Sequence, residues 1–582
     1  MAKRSNYDKF PSIRVPVGPE SVCQGWRDIV ARISGEVARG AQRISVEIYP
    51  GVFAEQVLGA FVEGLHPTHT FFTSDCWKTP GEIDAMIRSD LTDDPVFGRI
   101  SRLTIEDFAD PQRTARLREA CRAAGGVTLI FGTGTALVTP EPDVLILADL
   151  ARWEIQCRQR ANQIGNFPAG DRHQSAAAKY KRAFFVDWRV ADRVKQALLA
   201  RVDYLLDTND PDAPKMCTGE AFRAGLRCAL NRPFRVVPFF DPGPWGGQWM
   251  REVCDLPDGP PNYAWCFDCV PEENSLLLDV AGVNIEIPAV DLVLHHPREL
   301  LGDAVYARFG AEFPIRFDFL DTMRGGNLSL QVHPLKQYII DNFGLAYTQD
   351  ESYYLLDAAP DASVYLGLKT GIDRKAMISE LRHAQENGAP FEPSNYVNRW
   401  PARKHDHFLI PAGTIHCSGA SSMVLEISAT PYIFTFKLWD WGRPGLDGRP
   451  RTIHLEHGAA NIQWNRDTEW VRKNLLNRIE KVGEGKGWIE ERTGLHELEF
   501  IETRRHWFSF PVEHDACAGV HVLNLVEGEE AIVESPSEAF EPFHVHYAET
   551  FIVSAQTGRY SIRPADGVRQ CATIRAAVRT KP

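Results

Sequence analysis

The chain has 582 residues, 44% hydrophobic and 24% charged, with a formal net charge of -13. Its length exceeds what one core supports and predicts roughly two to four domains, and its composition is that of an ordinary folded soluble protein. The acidic balance, with no basic stripe, argues against a nucleic-acid partner. No apolar run reaches the roughly 18 residues of a membrane span, and the first residues lack the apolar core of a signal peptide, so the cytoplasm is the expected location.

From about residue 16 to 209, short β-rich runs alternate with longer amphipathic ones: "RISVEIY", "AEQVLGAFVEGL", "HTFFTSD", "RTARLREACRAAG", "VTLIFGTG" and "DVLILAD". This alternation predicts a parallel sheet covered by helices, an α/β domain spanning 1–225. After residue 234 the texture changes to short strands broken by Gly, Pro, Asn and Asp, such as "IRFDFLD", "LSLQVHP", "HFLIPAGTIH" and "SMVLEISA". Such text predicts barrels or sandwiches. Helical insertions are read at "DRKAMISELRHAQENG" and "TEWVRKNLLNRIEKV", and strands return from about Leu498. The 12 cysteines are scattered; only Cys266 and Cys269 form a C-x-x-C, read as reduced structural thiols in a loop.

Gln331 and His333 lie two apart in "SLQVHP", so on a strand both side chains look to one face, about 7 Å apart. Glu351 opens the strand-like "ESYYLL", and His416 follows a Pro411–Gly413 turn. An amide oxygen, a carboxylate and imidazoles suit zinc, and iron or manganese also accept them. A buried histidine is, however, more often a satisfied core residue. His405 and His407 flank Asp406; alternation predicts His407 to face solvent. His544, His546 and Glu549 form an H-x-H-x-x-E string that by itself reads as a second metal triad.

"PWGG", "QVHP", the Glu of "ESYYLL", "DHFLIPAGTIH" and "FKLWDWGRPGLDGRPRTIH" occur in the order of type I mannose-6-phosphate isomerases of the cupin superfamily, and the chain from about Phe234 onward resembles them. The resemblance implies a double cupin of jelly-roll barrels, one zinc ion per chain held by Gln331, His333, Glu351 and His416, and aldose–ketose isomerisation of a sugar or sugar phosphate through a cis-enediol. It also implies a C-terminal cupin without metal. Two positions depart from the family: Gln349 stands where a lysine precedes the ligand Glu, and Lys437 stands for an arginine that faces substrate. Lysine keeps the charge and loses the two-point fork. Arg443 is retained as an anion-binding candidate, so Lys437 and Arg443 are the predicted catalytic residues.

The first third resembles P-loop kinases of the uridine or pantothenate type in its element order. Its "YPGVFAEQV" turn, with one glycine and no lysine, departs from a phosphate-cradling loop. The expectation is a degenerate kinase-like domain, with Asp75 as the residue for any surviving kinase activity. Arg152, Arg158 and Arg160 are alternative phosphate ligands, and "KYKRAFFVDWRVADRVK" is an alternative solvated helix face. The resulting layout is a kinase-like domain over 1–225, a metal-binding cupin over 226–455, a helical linker over 456–497 and a C-terminal cupin over 498–582. The competing readings are a non-catalytic sugar-phosphate sensor and an iron cupin oxygenase.

Overall fold

Runs of β-branched and aliphatic residues with no polar interruption, such as Val144–Asp149, can only be strands buried on both faces, and they build the centre of a seven-stranded sheet. The structure, a computed structural model, describes residues 5–168, 170–429, 434–445, 448, 451–497 and 499–580. The chain divides into two units, one of Ser12–Ala229 with Pro271–His296 and one of Met1–Pro11, Leu230–Val270 and Pro297–Pro582. The segment 271–296 therefore belongs to the α/β unit, although the sequence reading placed it in the metal-binding cupin. The cause is strand pairing: Ser12–Val15 lies parallel to Ser275–Val280, with Ser12 opposite Leu277.

In the α/β unit the strands are β1 (Val22–Gln24), β2 (Arg43–Ile48), β3 (His69–Phe72), β4 (Thr128–Gly132), β5 (Val144–Asp149), β6 (Tyr204–Asp207) and β7 (Lys215–Thr218), in the order β1-β7-β6-β5-β2-β4-β3. The five from β6 to β3 run parallel, as the β/α alternation predicts. Helices α1 (Ala54–Leu65), α2 (Pro80–Leu91), α3 (Arg152–Arg160) and α4 (Trp188–Leu198) follow strands or connect them. Thr79 starts α2 with a capping box, its hydroxyl accepting from the Glu82 N–H while the Glu82 carboxylate accepts from the Thr79 N–H.

The basic cluster before and in α4 is not a solvated face. Lys179, Lys181, Arg182 and Lys195 are all buried. Lys195 donates to Asp149 at 2.7 Å and Asp291 at 3.0 Å, and Arg152 pairs with Asp192 and, at 2.6 Å, with Glu272. Arg182 pairs with Asp187 at 3.1 Å, whereas Lys179 donates to the Gln159 and Arg172 carbonyls and to Asn162 Oδ1, and Lys181 to the Thr92 and Asp94 carbonyls. Burial of charge on this scale is tolerated because every cation meets a carboxylate or several oxygen acceptors.

In the other unit, the first barrel pairs a six-stranded sheet with a five-stranded one. Its site-bearing strands are β8 (Arg316–Asp321), β9 (Leu330–Val332), β10 (Asp350–Ala358), β11 (His407–Ile410), β12 (His416–Ser418), β13 (Ser422–Ala429) and β14 (Phe436–Trp439). Neighbours run β11-β10-β13-β8 in the larger sheet and β12-β9-β14 in the smaller. The predicted helical insertion is α5 (Arg374–Asn387), capped by Asp373 and ended by Gly388 at φ 66°.

The predicted linker 456–497 holds α6 (Thr468–Asn474) and then a hairpin, Glu480–Gly485 with Trp488–Arg492, that joins a sheet of the second barrel. Leu498, the predicted start of that barrel, lies outside the described residues. Phe508, Leu523, Phe551 and Cys571 of its six-stranded sheet pack with Val512, Val533, Tyr560 and Ile562 of its four-stranded sheet. Each such buried apolar side chain stabilises by about 1.5–3 kcal/mol before entropy is counted. Cys266 and Cys269 are buried free thiols on the strand Trp265–Cys269, not in a loop. No helix among the described residues is long and apolar enough to cross a membrane.

Candidate metal centre

β9, β12 and β10 bring together the four side chains singled out by the sequence. Gln331 on β9 is directly opposite His416 on β12, so antiparallel pairing puts the two side chains on one face. Glu351, at the start of β10 in the facing sheet, meets them from across the barrel. His333 follows the end of β9, where Pro334 stops the ladder.

His333, Glu351 and His416 have no exposed surface, and Gln331 is 6% exposed. His333 Nε2 lies 3.0 Å from Glu351 Oε2, His416 Nε2 lies 2.8 Å from Glu351 Oε1, and Gln331 Nε2 lies 3.2 Å from His416 Nε2. The other imidazole nitrogens decide what these approaches mean. His333 Nδ1 stands 2.8 Å from the Phe434 carbonyl and His416 Nδ1 stands 2.9 Å from the Thr414 carbonyl. A carbonyl only accepts, so both Nδ1 atoms carry hydrogens, and in the neutral rings both Nε2 lone pairs point at carboxylate oxygens.

Lone pairs facing lone pairs in a dry interior need positive charge between them, a metal ion or a proton on Nε2. Burial lowers the His333 imidazole, but Glu351, with the Phe434 carbonyl, outweighs it and raises the group above its ordinary value. Accordingly, His333 Nε2 and Glu351 Oε1 are fully buried without a hydrogen bond. The donor set of two imidazoles, one carboxylate and an amide that can present its oxygen after a flip fits a divalent ion, and Nδ1 bonds to carbonyls are the outer support such ligands need. Among the described residues, His333, Glu351 and His416 form the one group of three ligating side chains close enough to share an ion.

Gln349 belongs to this support. Its Nε2 donates to Glu351 Oε2 at 3.1 Å and its Oε1 accepts from the Phe434 N–H at 2.8 Å, so one amide ties the carboxylate to the segment whose carbonyl orients His333. Gly413 shapes the turn before His416: its φ is +86°, its N–H donates to the His333 carbonyl at 3.0 Å, and an added Cβ would stand 2.7 Å from Gln463 and 2.8 Å from Leu335. Glu426 on β13 is pushed well above the carboxylate range by burial and by the neighbouring Glu351 and Asp318.

Lys437 on β14 is opposite Gln331, so it shares the face of the centre. Burial lowers its ammonium to about 8. Arg443 does not stand alone: its Nε and Nη2 donate to Asp440 Oδ1 at 3.1 and 2.8 Å, while Arg451 Nη1 donates to Asp440 Oδ2 at 2.6 Å and to Ser329 Oγ at 3.0 Å. Arg451 and Asp440 escaped the sequence reading. The signal was the "FKLWDWGRPGLDGRPR" string, in which four cations crowd around two acids.

One expectation, the exposure of His407, is corrected here. His407 is fully buried, not solvent-facing, because its neighbours on β11 are buried on both sides; its Nε2 bonds the Ser352 hydroxyl at 2.9 Å and burial pushes it down to about 3. In the second barrel, His544 is exposed on Glu530 at 2.6 Å, and Glu549 is drawn onto Arg235 at 2.7 Å while touching His546 at 3.2 Å. That arginine occupies the carboxylate, so the string is not assembled as a triad.

In the α/β unit, Asp75 is exposed in a short turn after β3. Arg152 is buried in its ion pairs, Arg158 binds Glu154 and the carbonyls of Gly51 and Thr208, and Arg160 lies over Trp153. Internal partners thus hold Arg152 and Arg158, the buried members of the predicted phosphate-binding set.

Residues 25–231 match a family model described as a domain of unknown function, DUF8485. Mannose-6-phosphate isomerase of Streptococcus mutans is 27% identical over 214 residues, 36% of this chain and 62% of the relative. The isomerase ManA of Bacillus subtilis is 27% identical over 236 residues, 40% of this chain and 69% of the relative. The chain thus spans about three fifths of the first relative's length. A crystal structure of mannose 6-phosphate isomerase from Bacillus subtilis aligns over 59% of this chain and 99% of its own, at 17% identity and a TM-score of 0.48. A phosphomannose isomerase variant from Salmonella typhimurium aligns over the same shares at 14% identity and 0.45. The chain is therefore similar in sequence, over 36 to 40% of its length, to mannose-6-phosphate isomerases.

Proposed function

We propose that the barrel unit is a zinc-dependent aldose–ketose isomerase of a sugar phosphate, mannose 6-phosphate with fructose 6-phosphate or a related pair. Gln331, His333, Glu351 and His416 are the metal ligands of this reading. The observation that carries it is the pinning of both imidazoles by backbone carbonyls, which leaves two lone pairs and a carboxylate converging within 3.2 Å. The likeness to curated isomerases supports the reaction class.

When bound, the ion supplies Lewis-acid polarisation of the sugar's carbonyl and hydroxyl oxygens. The chain's own residues do the rest. Lys437 offers a cation beside the centre to an anionic oxygen of the cis-enediol or to the phosphate. Arg443 and Arg451, steadied by Asp440, present the remaining N–H groups for the phosphate. Gln349 holds Glu351 in place with a neutral amide, so the charge that the family's lysine brings to this spot is absent.

That absence favours one competing reading, a sensor that binds sugar phosphate without turnover. Metal analysis of the purified chain, followed by a coupled assay of hexose 6-phosphates in both directions, separates the two. Zinc near one per chain with interconversion of a hexose phosphate pair supports the isomerase. Zinc with no turnover on any phosphorylated or free hexose overturns it in favour of the sensor.

A further inference from the structure

The α/β unit has a crevice of about 690 Å³ at the carboxyl ends of β2, β3 and β4. This is the side of a parallel sheet, next to the point where strand order reverses, at which ligands of such folds sit, and the size suits a small molecule. The chain leaves β2 for β3 at the edge, returns to β4 in between, then crosses to β5 on the far side of β2.

The two flanks of β2 differ. On the β5 flank, Asp149 ends the strand and is bonded to Lys195, whose ammonium also lies 4.1 Å from the centre of the Tyr49 ring. Tyr49 Oη donates to Asp192 at 2.8 Å, and Arg152 closes on the same carboxylate. Lys195, Asp149 and Arg152 are each 1% exposed. Side chains fill that flank, and its charges are spent on one another.

On the β3 and β4 flank the space is open. Its walls are aromatic: Trp77 meets Phe167 edge to face at 5.0 Å, and Phe72 meets Phe131 likewise at 6.5 Å. Two cations stand in the lining. Lys78 Nζ donates to the Asp107 carbonyl at 2.6 Å and Arg113 Nη1 to the Trp77 carbonyl at 2.9 Å. Those partners are neutral, and no carboxylate lies within ion-pairing distance of either cation among the described residues. Glu55, exposed, is the one acid in the lining. An apolar, flat-walled space with two cations in its lining, neither held in a salt bridge among the described residues, selects an anion on a ring.

We propose that this crevice binds one small anion built on a flat ring, its phosphate or carboxylate held by Lys78 and Arg113 and its ring lodged against Trp77 and Phe167. With the β5 flank filled, a second substrate has no place beside the first. The unit is thus a single-ligand binding domain and transfers no phosphoryl group.

The test is calorimetric titration of the full chain with a nucleoside monophosphate, with indole-3-carboxylate, with ribose 5-phosphate and with inorganic phosphate. One of the two ring-bearing anions is expected to bind at least tenfold more tightly than ribose 5-phosphate or phosphate, and which one does so names the anionic group. The double variant Lys78→Ala/Arg113→Ala, at partly or fully exposed positions, is expected to weaken that binding at least tenfold. Phe167→Leu, which keeps an apolar fill, is expected to weaken it severalfold with an unchanged melting temperature. Failure of both ring-bearing anions to bind at millimolar concentration, or unchanged affinity in the double variant, overturns the site. Formation of ADP from magnesium ATP with a nucleoside overturns the single-ligand reading. The isomerase assay of the barrel unit is unaffected by either outcome.

Discussion

His333 Nε2 stands 3.0 Å from Glu351 Oε2, while Nδ1 of the same ring is held 2.8 Å from the Phe434 carbonyl. One bond sets the tautomer, and the tautomer turns a lone pair toward a carboxylate. In a fully buried place that pairing is repulsive unless a metal ion or a proton sits between. The arrangement is therefore ready for an ion before any ion arrives.

Metal removal is the first consequence. Dialysis against a chelator should abolish isomerase activity and lower the melting temperature, since an ion bound at a hundred times its Kd stabilises by about 2.7 kcal/mol. Re-addition of zinc should restore both. His416→Ala and Glu351→Gln should purify with metal content near zero by elemental analysis, and a full complement in either would remove these residues from the ligand set.

Gln349→Ala should weaken metal affinity by roughly 10–100-fold, the usual cost of losing an outer support. The amide both holds Glu351 and accepts from the Phe434 N–H. Competition with a chromophoric chelator measures this. Unchanged affinity would mean that Glu351 is positioned by the histidines alone.

Gly413→Ala should destabilise the chain by about 1–3 kcal/mol. Its φ of +86° is strained for alanine, and the new methyl would meet Gln463, Leu335 and the Asn461 carbonyl at 2.7 to 2.9 Å. Because the turn leads directly to His416, metal content should fall with stability. Urea unfolding and metal analysis on the same preparation test the link.

Lys437→Ala should lower kcat/KM roughly a hundredfold, the scale for losing one donor to developing negative charge, with metal content intact. Lys437→Arg should recover part of the loss, as the charge returns. Loss of metal in the alanine variant would instead make Lys437 a structural partner of Gln331, opposite it in the sheet.

Buried neutral histidines set an acid limit on stability. Burial pushes His407 from its ordinary 6.5 down to about 3, and holds His514 and His521 well below their ordinary value. The unfolded chain takes up these protons first, so their contribution is full above pH 6.5 and is lost as pH falls from there toward 3. Each such group adds about 1.4 kcal/mol of unfolding free energy per pH unit within that window. Buried carboxylates such as Asp187 and Asp321, raised by burial to about 7, act with the opposite sign, so the test is a difference: in urea unfolding between pH 7 and 5, His407→Asn should lower the slope relative to the parent chain by about one histidine's share. An identical slope in the variant would show that the His407 ring protonates in the folded state.

Much of the architecture was legible in the residues. Uninterrupted aliphatic runs separated by amphipathic stretches dictate a parallel sheet, because only helices on both faces can cover such strands. The spacing of Gln331 and His333 puts both side chains on one face of a strand, and the Pro411–Gly413 turn announces a change of direction before His416. These are local properties, carried by backbone period and turn chemistry.

What neighbours do to a side chain is not local. Gln331 and His416, 85 positions apart, meet only because β9 and β12 pair, and the Phe434 carbonyl that orients His333 comes from yet another segment. Lys195 and Arg152 looked like solvated or anion-binding groups until Asp149, Asp192, Asp291 and Glu272 were brought beside them. Likewise His544, His546 and Glu549 have the spacing of a metal triad, but Arg235, far earlier in the chain, takes the carboxylate. A charged group's role follows from its nearest opposite charge and its access to water, and chain packing decides both.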